Sequence, residues 1–188
     1  DISSEMKRRG KQSRDRFIFV LNKCDAFDVD KGETLDSVIN DVRDYLAQFN
    51  IIDPIIIPTS ARLALIIRKD RNGEKLTRLE TKELSDVEAF VNTEELHFED
   101  YGTLTPSVKT KLKRMVEEYH KDEDTWGLEA LIHTGVPAVE ETIAEYIDKY
   151  AYPIKINDSV KDIISILDEL DMVNKFSEKR MEKILFCW

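Results

Sequence analysis

Cysteine is scarce in this chain. Cys24 and Cys187 are the only two among 188 residues, too few for a disulfide framework, so the default setting is a reducing cytosol. Long apolar runs are lacking as well. No stretch approaches the roughly 18 apolar residues of a membrane span, and no segment reads as a signal peptide. Histidine is limited to His97, His120 and His133, without the His-x-x-x-His spacing that pairs two imidazoles around a metal, so each reads as an ordinary polar residue. No Ser-His-Asp or Cys-His arrangement follows from spacing, and there is no internal repeat. Basic residues are outnumbered, 28 Lys and Arg against 38 Asp and Glu, for a formal net charge of −10. That argues against broad nucleic-acid binding, which depends on neutralising phosphates. Glycines number six: Gly10, Gly32, Gly73, Gly102, Gly127 and Gly135. None has the Gly-x-x-x-x-Gly-Lys-Ser/Thr spacing whose amides cradle phosphates and whose hydroxyl holds Mg²⁺. Lys11 follows Gly10, but Gln12 comes next.

What is present is a polar composition with room for a core: 41 % hydrophobic and 35 % charged residues. Within it, Phe17-Ile18-Phe19-Val20-Leu21 runs directly into Asn22-Lys23-Cys24-Asp25. A short apolar run with β-branched and aromatic residues reads as a strand buried on both faces. Asn-Lys-x-Asp at the carboxyl end of such a strand suits recognition of guanine. The base offers two adjacent donors, a ring N–H and an exocyclic amine, and the two oxygens of Asp25 can accept both. Adenine has no such donor pair. The alkyl stem of Lys23 can lie along the base and ribose, and Asn22 can donate and accept to tie neighbouring loops. Cys24, at the free position, reads as a small packing residue. A second short strand, Pro54-Ile55-Ile56-Ile57-Pro58, ends in Thr59-Ser60-Ala61. Small side chains there let a backbone amide come close to a ligand, and the same residues also read as a helix cap.

Between the two strands, Leu35, Val38, Ile39, Val42, Tyr45, Leu46 and Phe49 recur at spacings of three and four, which predicts an amphipathic helix over 33–49, stopped by Asn50 and Asp53-Pro54. A strand–helix–strand unit of this length calls for a parallel crossover. Beyond Ala61, Leu63, Leu65, Ile66 and Ile67 predict a short helix. The charged stretch 68–83 reads as a loop or hinge, with Asn72-Gly73 as its turn. A short helix follows over 86–93. Thr105-Pro106 opens a clear helix with Val108, Leu112, Met115, Val116 and Tyr119 on one face and Lys109, Lys111, Lys113 and Arg114 on the other. That basic face reads as solvated. Gly135 allows a turn, Pro137 starts a helix whose buried stripe is Val139, Ile143, Tyr146, Ile147 and Tyr150, and Tyr152-Pro153 breaks it. Asn157-Asp158-Ser159 caps a last long helix carrying Val160, Ile163, Ile164, Leu167 and Leu170.

The strand, Asn22-Lys23-Cys24-Asp25 and Pro58-Thr59-Ser60-Ala61 together resemble the second half of a P-loop GTPase domain. Gly135-Val136-Pro137-Ala138-Val139-Glu140-Glu141-Thr142-Ile143, followed by Tyr-Pro and a long helix, resembles the end of that domain in dynamin-like GTPases. The resemblance spans about Arg16 to Leu170 and is sharp only at Asn22–Asp25 and Ser60–Ala61. It implies an α/β fold: a partial P-loop GTPase three-layer sandwich with few parallel strands, a largely helical insertion and C-terminal helices. The divisions would be a charged lead-in (1–15), the strand–helix–strand unit with the guanine motifs (16–61), a mainly helical insertion (62–125), the last part of the GTPase domain (126–153) and a helix leading to a stalk or bundle (154–188).

By this resemblance Asn22, Lys23, Asp25, Ser60 and Ala61 supply base recognition. GTP or GDP and Mg²⁺ belong to an intact parent whose phosphate ligands lie outside this chain, so this chain alone is not expected to hydrolyse GTP or hold nucleotide tightly. Asp70-Arg71-Asn72-Gly73 mimics the family's Asp-x-x-Gly switch but falls after Asn-Lys-x-Asp instead of before it. Asp1 and the apolar Ile184-Leu185-Phe186-Cys187-Trp188 end suggest a fragment. The expected partners are the missing N-terminal half of the GTPase domain, further copies through the helices, and a membrane by way of the parent; nucleic acid is not expected. The expected location is cytoplasmic, peripheral to a membrane in the parent. Two other readings are a circularly permuted GTPase fragment and a non-catalytic helical interaction module with a chance motif.

Overall fold

The computed structural model describes residues 2–8, 15–27, 34–120 and 127–185. Gly10, Gly32, Trp126 and Cys187, and most of the basic lead-in, lie outside those residues. The chain divides into two compact units, Asp1–Tyr146 and Ile147–Trp188. The elements of the first are α1 (Ile2–Arg8), β1 (Ile18–Asn22), α2 (Leu35–Gln48), β2 (Ile55–Thr59), α3 (Ala61–Arg71), α4 (Arg78–Glu83), α5 (Val87–Asn92), α6 (Phe98–Tyr101), α7 (Pro106–Tyr119), α8 (Leu128–His133) and α9 (Val136–Tyr146). The fold is α/β with few strands. Among the described residues the sheet consists of β1 and β2, paired in parallel with Phe19 opposite Ile56 and Asn22 opposite Thr59.

β2 organises the core. Successive side chains of a strand point to opposite faces, and here Ile56 and Ile57 are each fully buried in a different apolar cluster. Ile56 joins Leu35, Ile39 and Leu46 of α2, Leu63 and Ile67 of α3, Val87 and Phe90 of α5, and Phe98. Ile57 joins Val108 and Leu112 of α7, Ile132 of α8 and Ala138 of α9. Helices therefore cover both faces of β2. β1 is less enclosed than its apolar run predicts: its residues are half-buried, and Val20 is 49 % exposed.

α2 begins at Thr34, whose side chain accepts the Ser37 N–H. Its predicted stripe is only partly buried. Leu35, Ile39 and Leu46 enter the core, whereas Tyr45 and Phe49 stay exposed and meet each other edge to face at 5.1 Å. The loop expected over 68–83 is mostly helical. α3 continues to Arg71, a turn follows at Asn72 and Gly73, and α4 forms over Arg78–Glu83. The overlooked signal is Thr77-x-x-Glu80, a capping box in which the two residues satisfy each other's backbone amides. In α9 the buried residues are Pro137, Ala138 and Thr142, while Ile143 is exposed. Small residues face inward because the helix packs closely on β2 and α7, which displaces the predicted stripe.

In the second unit, a π-helical turn (Ile147–Ala151) leads into α10 (Tyr152–Leu185). The expected break at Tyr152-Pro153 is instead a helix start, with Pro153 in the first turn, where its missing N–H is tolerated. Asn157–Ser159 lie inside α10 and do not cap it. Val160, Ile163, Ile164, Leu167 and Leu170 are all exposed. No described helix is long and apolar enough to cross a membrane.

Two stability predictions follow from this packing. Ile57→Ala removes a fully enclosed side chain from β2 and should cost about 2–5 kcal/mol, against less than about 1 kcal/mol for Val20→Ala on the open strand. Equal losses for the two in urea unfolding would contradict the assignment of β2 as the buried strand. Glu80 supplies a pH dependence. Its carboxylate accepts from Lys69 Nζ at 2.8 Å and from the Thr77 N–H at 2.8 Å. The Lys69 hydrogen bond, followed by the backbone and hydroxyl of Thr77, holds the carboxyl at about 2, below its ordinary 4.5. A depressed folded value stabilises above the unfolded pKa and loses that contribution as pH falls through the folded one. Wild type should therefore exceed Glu80→Gln in stability at pH 6, and the gap should close between pH 4.5 and 2; a gap constant over that window would refute this role.

Candidate functional site

The carboxyl ends of two parallel strands form a natural place for a ligand, because the loops that follow them leave the sheet side by side. β1 and β2 end at Asn22 and Thr59, which sit opposite each other in register. Asn22 uses this adjacency: its Oδ1 accepts the Ala61 N–H at 3.1 Å, and the Thr59 hydroxyl lies 3.4 Å from the same oxygen. Asn22 and Ala61 are thus joined directly across the strand ends. The Ala61 amide, which the resemblance offers to a base carbonyl, here donates to Asn22.

Lys23 follows in the left-handed region, with φ 68° and ψ 33°. A lysine there is unusual, since this backbone region favours Gly, Asn and Asp. The conformation turns the chain sharply into a single 3₁₀ turn over Cys24–Ala26. The turn puts Cys24 inside and Asp25 outside. Cys24 is buried and its S–H donates to the Leu21 carbonyl at 3.1 Å. Burial pushes its thiol up to about 11, with the Thr59 backbone hydrogen bond opposing the shift and the nearby Asp25 charge adding to it. A protonated, enclosed thiol is a packing residue and a poor nucleophile.

Asp25 is exposed and has no hydrogen-bond or ion-pair partner among the described residues, so both carboxylate oxygens are available. It borders a cleft of about 340 Å³ that also touches Arg62, Ile66, Glu83, Asp86 and Phe90. Arg62, next to Ala61, donates through Nε to Glu83 Oε2 at 2.7 Å. The cleft therefore combines apolar residues with the Arg62–Glu83 pair and the carboxylates of Asp25 and Asp86, a lining suited to a flat group that carries donors.

Ser60 behaves differently from the cap reading. It occupies the N-cap position of α3, yet its side chain makes no cap bond, and its buried Oγ has no partner among the described residues. Its backbone is fixed from below: the Ser60 N–H donates to the Thr134 carbonyl at 2.9 Å. Gly135, at φ +74°, lies against the Pro58 carbonyl so closely that any Cβ would collide with it. Thr134 and Gly135 are supports that the sequence reading missed as such. The signal was the glycine placed just before Val136-Pro137, which had been read only as a turn.

No family model matches this chain, and neither curated proteins nor solved structures give a match. The site therefore rests on its own geometry. Asn22, Ala61 and Ser60 are gathered at the two strand ends. Asp25 stands at the rim of the neighbouring cleft, and Lys23 forms the strained corner between them. Among the described residues no cluster of His, Cys, Asp and Glu is placed to hold a metal ion.

The buried thiol gives a direct check. In a Cys187→Ser background at pH 8, Cys24 should react with an aromatic disulfide at least about tenfold more slowly in the folded chain than in denaturant. Comparable rates would show that the turn after β1 does not enclose it.

Proposed function

We propose that this chain carries the guanine-reading part of a GTP-binding domain of the dynamin-like kind, within a parent protein that binds and hydrolyses GTP. The observation that carries the reading is the bond from the Ala61 N–H to Asn22 Oδ1 at 3.1 Å, which links the Asn-Lys-x-Asp and Ser-Ala loops across two parallel strand ends. A chance motif after an isolated strand would not require its asparagine to meet the second motif.

In this reading Asp25 accepts the ring N–H and the exocyclic amine of guanine with its two oxygens. Lys23, held at the corner, lays its alkyl stem over the base. Asn22 keeps the two loops at fixed separation, and the Ala61 amide is shared between Asn22 and the base carbonyl when nucleotide is present. Ser60 is buried so that backbone alone meets the ligand. The bound nucleotide's phosphates and Mg²⁺ would be held by parental elements outside this chain, which itself contributes recognition of the base. The P-loop type of three-layer sandwich belongs to the same proposal. So does self-association of the parent through helices such as α10, whose aliphatic residues are exposed, and its attachment to membranes.

The test is a titration of the parent with guanine and xanthine nucleotides. Asp25→Asn turns one acceptor toward a donor and should weaken GDP binding by about 10²-fold or more. Because xanthine carries a carbonyl where guanine carries its amine, the same variant should gain affinity for the xanthine nucleotide. Unchanged GDP affinity would sink the assignment of Asp25.

A further inference from the structure

A second cleft, of about 430 Å³, opens between α6, α7 and α8, and the guanine reading makes no use of it. Its floor holds a polar cluster of unusual burial. His133 is 3 % exposed, and its Nδ1 lies 2.6 Å from Glu99 Oε1, itself on a side chain only 9 % exposed. His97 stacks on His133 with ring centroids 3.6 Å apart and planes 7° from parallel. Glu99 Oε2, His133 Nε2 and His97 Nε2 are all buried and lack partners among the described residues. Unsatisfied buried polar atoms are costly, and three in one cluster mark a place where a ligand would recover that cost.

The chemistry of the floor is fixed by its hydrogen bonds. A carboxylate only accepts, so the Nδ1 of His133 carries the proton it gives to Glu99. Glu129 Oε1 stands 3.9 Å from the His133 Nε2, too far to bond. Glu99 Oε2 therefore calls for a donor, while Glu129 is already bonded to His120 Nδ1 at 3.0 Å and keeps further lone pairs for a ligand. A metal ion fits poorly, because parallel stacked rings hold their in-plane lone pairs side by side instead of converging, and no metal-holding group occurs among the described residues.

The opposite wall belongs to α7. Lys109 and Lys113, one helical turn apart, border the cleft, and neither has a hydrogen bond or ion pair among the described residues. Leu104, Leu112 and Val116 also line the cleft. Three carboxylates (Glu99, Asp100, Glu129) and two ammonium groups line this space, and Glu129 also meets His120 Nδ1 at 3.0 Å. That balance disfavours a phosphate or any other multiply charged anion. It suits a small molecule that is a donor at one end, an anion at the other and apolar on its side.

We propose that this cleft binds a free α-amino acid with an apolar side chain. Its ammonium group sits among Glu99, His133 and Glu129, its carboxylate meets Lys109 and Lys113, and its side chain rests on Leu104, Leu112 and Val116. Charge-assisted bonds at both ends then select the zwitterion.

The probe is L-leucine, titrated into the full chain and followed by amide NMR shifts, with leucinamide (ammonium kept, carboxylate lost) and N-acetyl-leucine (the reverse) alongside. Expected are saturable shifts in α6, α7 and α8, and at least about tenfold weaker binding of each half-ligand. The exposed double variant Lys109→Ala/Lys113→Ala should weaken leucine about tenfold while leaving leucinamide unchanged, and Glu129→Gln should weaken both leucine and leucinamide. No saturable shift up to about 10 mM L-leucine would overturn the proposal. So would leucinamide binding as tightly as leucine, or N-acetyl-leucine doing so.

Discussion

The parallel pairing of β1 with β2 is the constraint on which the rest depends. It sets Asn22 against Thr59, and from that register the positions of the following residues are determined. One residue of slip would turn Ile56 and Ile57 to each other's face, and both clusters of core helices would lose their central contact. The register is therefore enforced by burial, with Ile56 and Ile57 fully enclosed on opposite sides. The meeting of Asn22 with Ala61 follows from that enforcement and needs no special attraction of its own.

The parts legible in the sequence were those where local and global demands coincide. β2, α2 and α7 follow from apolar spacing, and α7 also from its capping Thr105, whose hydroxyl accepts the Val108 N–H. The reading failed where a neighbour decides the outcome. β1 has the composition of an enclosed strand, yet Val20 stays 49 % exposed where the same-length β2 is covered on both faces. In α9 the inward positions are taken by Ala138 and Thr142 because closeness to β2 selects small side chains over the larger aliphatic ones. α4 was hidden by charge, since Arg78, Glu80, Lys82 and Glu83 look like loop until Thr77 and Glu80 are seen as a mutual cap.

The two clefts differ in how legible they were, for a physical reason. The residues around Asp25 come as contiguous motifs, because a strand end and its loop place neighbours in sequence at one site. The Glu99–His133 cluster is assembled from residues 34 positions apart. Histidines 97 and 133 each look ordinary in isolation, and only the packing of α6 against α8 brings their rings face to face. Burial then changes their meaning: the same imidazoles exposed to water would be satisfied by solvent, whereas here both Nε2 atoms and Glu99 Oε2 have no partner among the described residues.

Both clefts rest on a single turn. His133 forms the floor of one, Thr134 accepts the Ser60 N–H beneath the other, and Gly135 locks against Pro58 between them. Proximity of this kind invites a claim of communication, but coupling requires an element with two alternative arrangements that each ligand prefers differently. This turn offers no such alternative. Thr134 is fully enclosed, its hydroxyl donates to the Leu131 carbonyl at 2.6 Å, and Gly135 has no room to move toward β2. A rigid shared support holds two sites in place without passing a signal between them. By that argument the occupancy of one cleft leaves the affinity of the other unchanged.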